Sequence, residues 1–129
     1  MSRLESIRST RRFAVAVLSA FGLVTVCSLV WLHKTDPLDG WRGALLRVVF
    51  WDDTAYAPGY TDNAFEAVEC GANTSSVLQL LGPPLRRTNE GNSERWWYTI
   101  SPRDSHYRMR EIRFSNGLVE RTVHYYYVD

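Results

Sequence analysis

The sequence predicts an α+β protein in two parts. An N-terminal transmembrane helix is followed by a small domain of two helices and a three-stranded antiparallel meander (ααβββ). Three observations carry that expectation. Residues 13–32 run for twenty positions without a charge. Two short apolar-periodic segments with capping residues follow Tyr60. From Arg95 the chain turns aromatic and β-branched, with Asn116-Gly117 between two strand-like runs. The expected divisions are a basic tail over 1–12, a spanning helix over 13–32, a juxtamembrane connector over 33–60 and the ααβββ domain over 61–129.

At about 1.5 Å of rise per residue, twenty residues make roughly 30 Å of helix, the thickness of a bilayer's hydrocarbon core. Arg3, Arg8, Arg11 and Arg12 precede the run against Glu5 alone, a net +3. The positive-inside bias then leaves the N-terminus in the cytosol of a bacterial cell. Everything from His33 lies beyond the inner membrane, periplasmic or extracellular. Trp31 and Trp41 suit the outer headgroup level. Three alternatives stand beside the retained span. A cleaved signal wants a small-x-small exit, which Trp31-Leu32-His33-Lys34 does not supply. A lipoprotein would be anchored through Cys27, although Val26 stands where a small residue is expected. A twin-arginine signal is hinted at by Thr10-Arg11-Arg12-Phe13.

Cys27 falls inside the span, so Cys70 has no intrachain disulfide partner beyond it, and no CxxC metal motif occurs. Cys70 is expected to be a small buried hydrophobe. The exported part holds Lys34 and ten arginines against thirteen acids, a net −2 that argues against nucleic acid as partner.

The connector opens with the turn signals Asp36-Pro37 and Asp39-Gly40 and closes with Pro58-Gly59. Between them, residues 41–51 are too apolar for a free linker. They read as a helix, lying in the membrane interface with Trp41, Leu45 and Val48 on one side or docked on the domain, or else as a docked strand. Thr61 caps a short helix reaching about Glu69, with Tyr60 and Phe65 at hydrophobic-staple spacing. Asn73 caps a second helix carrying Val77, Leu78, Leu80 and Leu81, which Gly82-Pro83-Pro84 ends. Residues 86–92 read as a polar loop. Strands follow over 95–100, about 107–114 and 118 to about 128, the last two joined by Asn116-Gly117, whose residues both tolerate positive φ. On the second strand Arg110, Ile112 and Phe114 share one face, and Met109, Glu111 and Arg113 the other.

The stretch Phe65-Glu-Ala-Val68-Glu-Cys-Gly71-Ala-Asn73-Thr-Ser-Ser-Val77-Leu-Gln-Leu-Leu81-Gly82-Pro83-Pro84 resembles the hallmark phrase of the small outer-membrane assembly lipoproteins called BamE, SmpA or OmlA. Arg95-Trp96-x-Tyr98 and Arg110-x-Ile112-x-Phe114 with Asn116-Gly117-x-Val119 resemble its strand motifs. The resemblance covers about Tyr60 to Val123. It implies the helix-helix-three-strand order, an architecture that also resembles secreted protein inhibitors of β-lactamase and various lipoprotein ectodomains, whose shared theme is binding protein rather than catalysis. Ala72 and Ser76 depart from the family pattern, and a retained span points to a different membrane from the family's own.

No catalytic, cofactor-binding or metal-binding residues and no small-molecule substrate are assigned. Cys70, Asp104, His106 and His124 are the residue types a nucleophile–base pair would need, but His106 reads as a solvent-exposed turn residue beside Asp104 and His124 as a surface or rim residue of the last strand. Asp52, Asp53 and Asp62 fit no calcium loop. The candidate protein-binding surface is aromatic: Trp97, Tyr125, Tyr126 and Tyr127, ringed by Arg108, Arg110, Arg113 and Arg121, types enriched at binding hot spots. A variant of this reading pairs the last strand, or the connector segment 45–51, with a sheet edge. The expected function is a membrane-anchored, non-catalytic envelope domain that binds another envelope protein as scaffold or accessory subunit. The alternative is a membrane-held inhibitor or sensor of a soluble periplasmic protein.

Overall fold

The computed structural model describes residues 2–35 and 38–129. The chain forms two compact units, Met1–Thr35 and Asp36–Asp129. The first is a single helix, α1 (Ser2–Thr35). Its segment Arg12–Trp31 is the one stretch among the described residues long and apolar enough to cross a membrane, a description a signal sequence also meets. The hydroxyls of Thr25 and Ser28 donate to the carbonyls of Phe21 and Val24, at 2.9 and 2.8 Å. These polar groups are therefore satisfied within the helix.

The second unit is mixed α+β. It begins with α2 (Gly40–Val49), β1 (Ala55–Tyr56), α3 (Asp62–Glu66) and α4 (Thr74–Leu81). The remainder is β2 (Arg86–Glu90), β3 (Ser93–Trp97), β4 (Thr99–Ile100), β5 (Tyr107–Ser115) and β6 (Leu118–Tyr127). The main sheet is antiparallel and four-stranded, ordered β2-β3-β5-β6, while β1 pairs with β4 separately.

Three expectations need correction here. Residues 86–90, expected in a loop, form the edge strand β2, so the meander has four strands rather than three. Its polar side chains suit an edge that must not recruit another chain. The two-residue turn Gly91-Asn92 closes the β2–β3 hairpin, with Gly91 at φ 66. The expected strand 95–100 is split, because β3 leaves the main sheet after Trp97 and β4 pairs with Ala55 and Tyr56. The connector, expected as one segment over 33–60, divides between the two units: residues 33–35 continue α1, and its described residues from Leu38 onward belong to the second. Residues 45–49 are helical, which removes the strand alternative for them. The Asp36-Pro37 turn lies outside the described residues.

The caps follow the sequence. The Thr61 hydroxyl accepts from the Ala64 amide at 3.2 Å, and the Asn73 carboxamide from the Ser76 amide at 2.8 Å. The Tyr60 and Phe65 rings meet at 5.9 Å, completing the staple. α3 stops at Glu66, shorter than expected. Asn116 and Gly117 take φ 52 and 76 in the β5–β6 turn, and a register shift at Arg113/Phe114 brings Phe114 opposite Val119. Phe65, Val77 and Leu81 pack on Trp96, Tyr98, Ile112, Phe114 and Val119, forming one core on one face of the sheet. The Trp96 and Phe114 rings lie 4.5 Å apart at its centre.

Ile112 has no exposure, so Ile112→Ala should cost about 2–5 kcal/mol. Leu80→Ala, at an exposed position, should shift stability by under about 0.5 kcal/mol. Urea denaturation of the two variants checks both.

Candidate functional site

Strand register sorts the eight candidate surface residues into two groups. On β5 and β6 the pairs Tyr107–Tyr127, Met109–Tyr125, Glu111–Val123 and Arg113–Arg121 alternate with Arg108–Tyr126, Arg110–His124 and Ile112–Thr122. The second set shares its face with Ile112, and so with the core and the helices. Trp97 pairs with Glu111 and therefore belongs to the first. Thus Trp97, Arg113, Arg121, Tyr125 and Tyr127 stand together on the face opposite the core. Arg108, Arg110 and Tyr126 do not join them. All three are buried, which corrects their assignment to a binding surface. The Tyr126 hydroxyl is buried without a hydrogen-bond partner among the described residues.

The outer face is built of aromatic rings and guanidinium groups around one carboxylate. The Tyr107 and Tyr127 rings meet at 5.5 Å, and the Arg86 guanidinium lies 5.0 Å from the centre of the Trp97 ring. Between the strands Glu111 is buried, with Arg113 Nε 2.6 Å and Arg95 Nε 4.0 Å from its Oε1. A cleft of about 290 Å³ opens beside them, lined by Arg86, Trp97, Tyr107 and Tyr127 with the loop residues Ser101 and Asp104. Such a surface offers stacking platforms and arginine donors to a partner. Sequence reading did not assign Arg86, Tyr107 or Glu111 to it. Period-two alternation from Arg113 along β5 carries the signal for Glu111 and Tyr107.

Behind the sheet the buried arginines make a different structure. Arg110 reaches back to the start of the connector helix, where its Nη1 and Nη2 donate to the two oxygens of Asp39 at 2.9 and 2.7 Å. Arg108 Nε donates to Asp39 Oδ2 at 2.8 Å. Asp62 at the head of α3 completes the group, 3.4 Å from both Arg108 Nη2 and Arg110 Nε. Two carboxylates thus balance two guanidinium groups. The side chains of Arg110 and Asp39 are 0% and 2% exposed. Two tyrosines close the set: the Tyr60 hydroxyl donates to Asp62 at 2.6 Å, and the Tyr56 hydroxyl accepts from Arg108 Nη1 at 3.0 Å.

Asp39 occupies the N-cap position of α2, yet its side chain makes no capping bond. The carboxylate is turned to the arginines instead. Burial alone would push the Asp39 carboxyl upward, but hydrogen bonds and charge from Arg110 and Arg108 outweigh it and hold the group below its ordinary value. Burial likewise works against the charge on Arg110, and its bonds to Asp39 reverse the balance and raise it. Burial, then the bond to Asp62, pushes Tyr60 far upward, so it stays a donor. Gly43, one turn along α2, leaves space for this turn of the side chain, because a Cβ there would collide with Cβ of Asp39.

The residues considered for chemistry go elsewhere. Cys70 is exposed, which corrects its expected burial, and its thiol donates to the Glu120 carbonyl at 3.5 Å. His106 is half-buried against the Phe50 ring at 4.7 Å and accepts from the Asp129 amide. His124 meets the Leu38 carbonyl at 2.8 Å. Asp53 accepts from the Arg103 amide and the Ser101 hydroxyl, tying the loop before β1 to the loop after β4. Comparison with family models, curated proteins and solved structures finds no match to this chain.

Asp39→Asn should destabilise the second unit by about 3–5 kcal/mol at neutral pH, because two buried guanidinium groups lose half their countercharge. Gly43→Ala should cost about 1–3 kcal/mol by displacing the same side chain. Both are read by chemical denaturation. The Asp39 carboxyl sits lower folded than unfolded, so its contribution is complete above the ordinary carboxylate range. It should fade as pH drops from about 5 toward 2, and the Asp39→Asn protein should lack this component of acid sensitivity.

Proposed function

We propose that the chain is a membrane-anchored, non-catalytic domain of the bacterial envelope that binds another envelope protein through the outer face of its sheet. The observation that carries this reading is the face itself. Trp97, Tyr125 and Tyr127 stand beside Arg113 and Arg121 on the side of the sheet opposite the core. Tyr125, Tyr127 and Arg121 are exposed. Tyrosine and tryptophan rings have little side-chain entropy to lose and supply binding energy when a partner excludes water from them, with arginines as hydrogen-bond donors beside them.

In this proposal α1 is the anchor, retained across the inner membrane with its arginine-rich end in the cytosol. The resemblance to the BamE, SmpA and OmlA lipoproteins supports a protein-binding role, and the charge-free run of α1 supports a different membrane from theirs. Fold likeness alone does not carry function, so the surface residues bear the argument.

Crosslinking in intact cells, followed by capture from solubilised membranes, tests the proposal. The tagged full-length chain should recover an envelope protein, and Trp97→Ala with Tyr127→Ala should reduce that recovery at least about tenfold, the effect of losing two hot-spot rings. Leu80→Ala should leave it unchanged. Recovery of soluble periplasmic proteins alone would favour a membrane-held inhibitor or sensor. Capture insensitive to both outer-face substitutions would contradict the proposal.

A further inference from the structure

The connector helix α2 has an apolar face on each side. Gly43 and Ala44 are buried against the domain. Most surface helices turn charged residues outward from such a contact, whereas α2 turns mainly apolar ones outward. At about 100° per residue, Trp41, Leu45, Val48 and Val49 fall within one arc of roughly 100°. All four are exposed, Val48 at 75%, and Trp51 just beyond the helix is exposed at 80%. No charged residue falls inside the arc; Arg42 stands at its margin, next to Val49. The arc also borders a groove of about 500 Å³ beside β6, shared through Trp41 and Leu45 and walled further by Leu46 and Tyr126.

We propose that this outer arc of α2 lies in the headgroup layer of the bilayer that α1 crosses, so that the domain rests on the membrane rather than swinging from it. The inference rests on the anchor reading given above. Chain length selects the lipid surface over other occupants. Only residues 36–39 separate the last residue of α1, Thr35, from Gly40. Five Cα steps of at most about 3.8 Å keep the start of α2 within roughly 19 Å of the end of α1. The first residue of the arc, Trp41, is of the type that favours the interface. A helix with an apolar arc inserts about 5–10 Å into the headgroup and acyl boundary, with cationic side chains at its margin meeting lipid phosphates. Arg42 is placed for that role. The clasp of Asp39 with Arg108 and Arg110 then makes the membrane contact a property of the whole domain, because it fixes the head of α2 to β5.

Site-specific fluorescence on the full-length chain tests this, in vesicles of phosphatidylethanolamine with a minority of phosphatidylglycerol. In a background of Cys27→Ser and Cys70→Ser, Leu45→Cys, Val48→Cys and Asn116→Cys each carry an environment-sensitive dye. The first two should show blue-shifted emission and several-fold stronger quenching by a headgroup-level nitroxide lipid than the Asn116→Cys control. They should also resist aqueous iodide. Iodide quenching equal to the control, in a chain that stays with the vesicles through an alkaline carbonate wash, overturns the proposal and leaves the anchor reading standing. Protection from iodide without quenching by the nitroxide lipid means that protein covers the arc, and also overturns it. Release of the chain by the carbonate wash removes the anchor reading and this proposal together.

Discussion

The Arg110 guanidinium has no exposure to water, so the second unit is stable only where carboxylates reach it in the interior. Asp39 is the principal one, and it arrives from the connector rather than from the sheet or from the helices that cover the core. A buried guanidinium without a partner is costly, whereas a fork-to-carboxylate pair satisfies charge and geometry together. The folded sheet and the connector helix are thereby made conditional on each other. Gly43, the diverted N-cap and the Tyr60–Asp62 bond all follow from that condition. Each frees space for the carboxylate cluster or holds it in place. Replacing the cluster with well-packed apolar groups could match its stability, but an apolar patch would fix the angle of α2 less sharply than four charges with defined partners.

The same alternation that buries Arg108 and Arg110 leaves the outer face free. Along β5, one side carries Arg108, Arg110, Ile112 and Phe114 to the interior, and the other presents Tyr107, Met109, Glu111 and Arg113. Glu111 holds Arg113 and lies near Arg95, so guanidinium groups on the open face are positioned before any partner arrives. Preorganisation of this kind lowers the entropy lost on binding. One strand therefore serves two ends: its inner arginines fix the connector, and its outer side chains organise the proposed interface.

Much of this was legible in the sequence, and the misreadings have physical causes. The caps at Thr61 and Asn73, the Tyr60–Phe65 staple and the Asn116-Gly117 hairpin are local devices, and local chemistry determines them. β2 is a polar edge strand whose side chains bury little, so no apolar alternation marks it, although Gly91-Asn92 is itself a two-residue hairpin signal. Period two places Arg110 with Ile112 and Phe114. Its burial follows from that placement, and arginine's usual preference for the surface obscured it. The carboxylate it needs lies 71 positions away at Asp39, in a segment whose Asp39-Gly40 pair reads as a turn. Only the folded chain brings that pair together. The Trp41, Leu45 and Val48 arc is a helical pattern with three members, legible once the segment is known to be a helix.

Native-state hydrogen exchange of the second unit tests most directly whether the Asp39 clasp makes α2 and the sheet one structure. If it does, the amides of α2 behind its first turn open only with the global unfolding that exposes the centre of β5. Their opening free energies then match those of Ile112 and its neighbours and fall in step with them when pH is lowered below the carboxylate range. Opening of α2 at a free energy well below that of β5 at neutral pH, with the sheet still protected, would show a helix resting on the domain instead of one built into it, and would contradict the account.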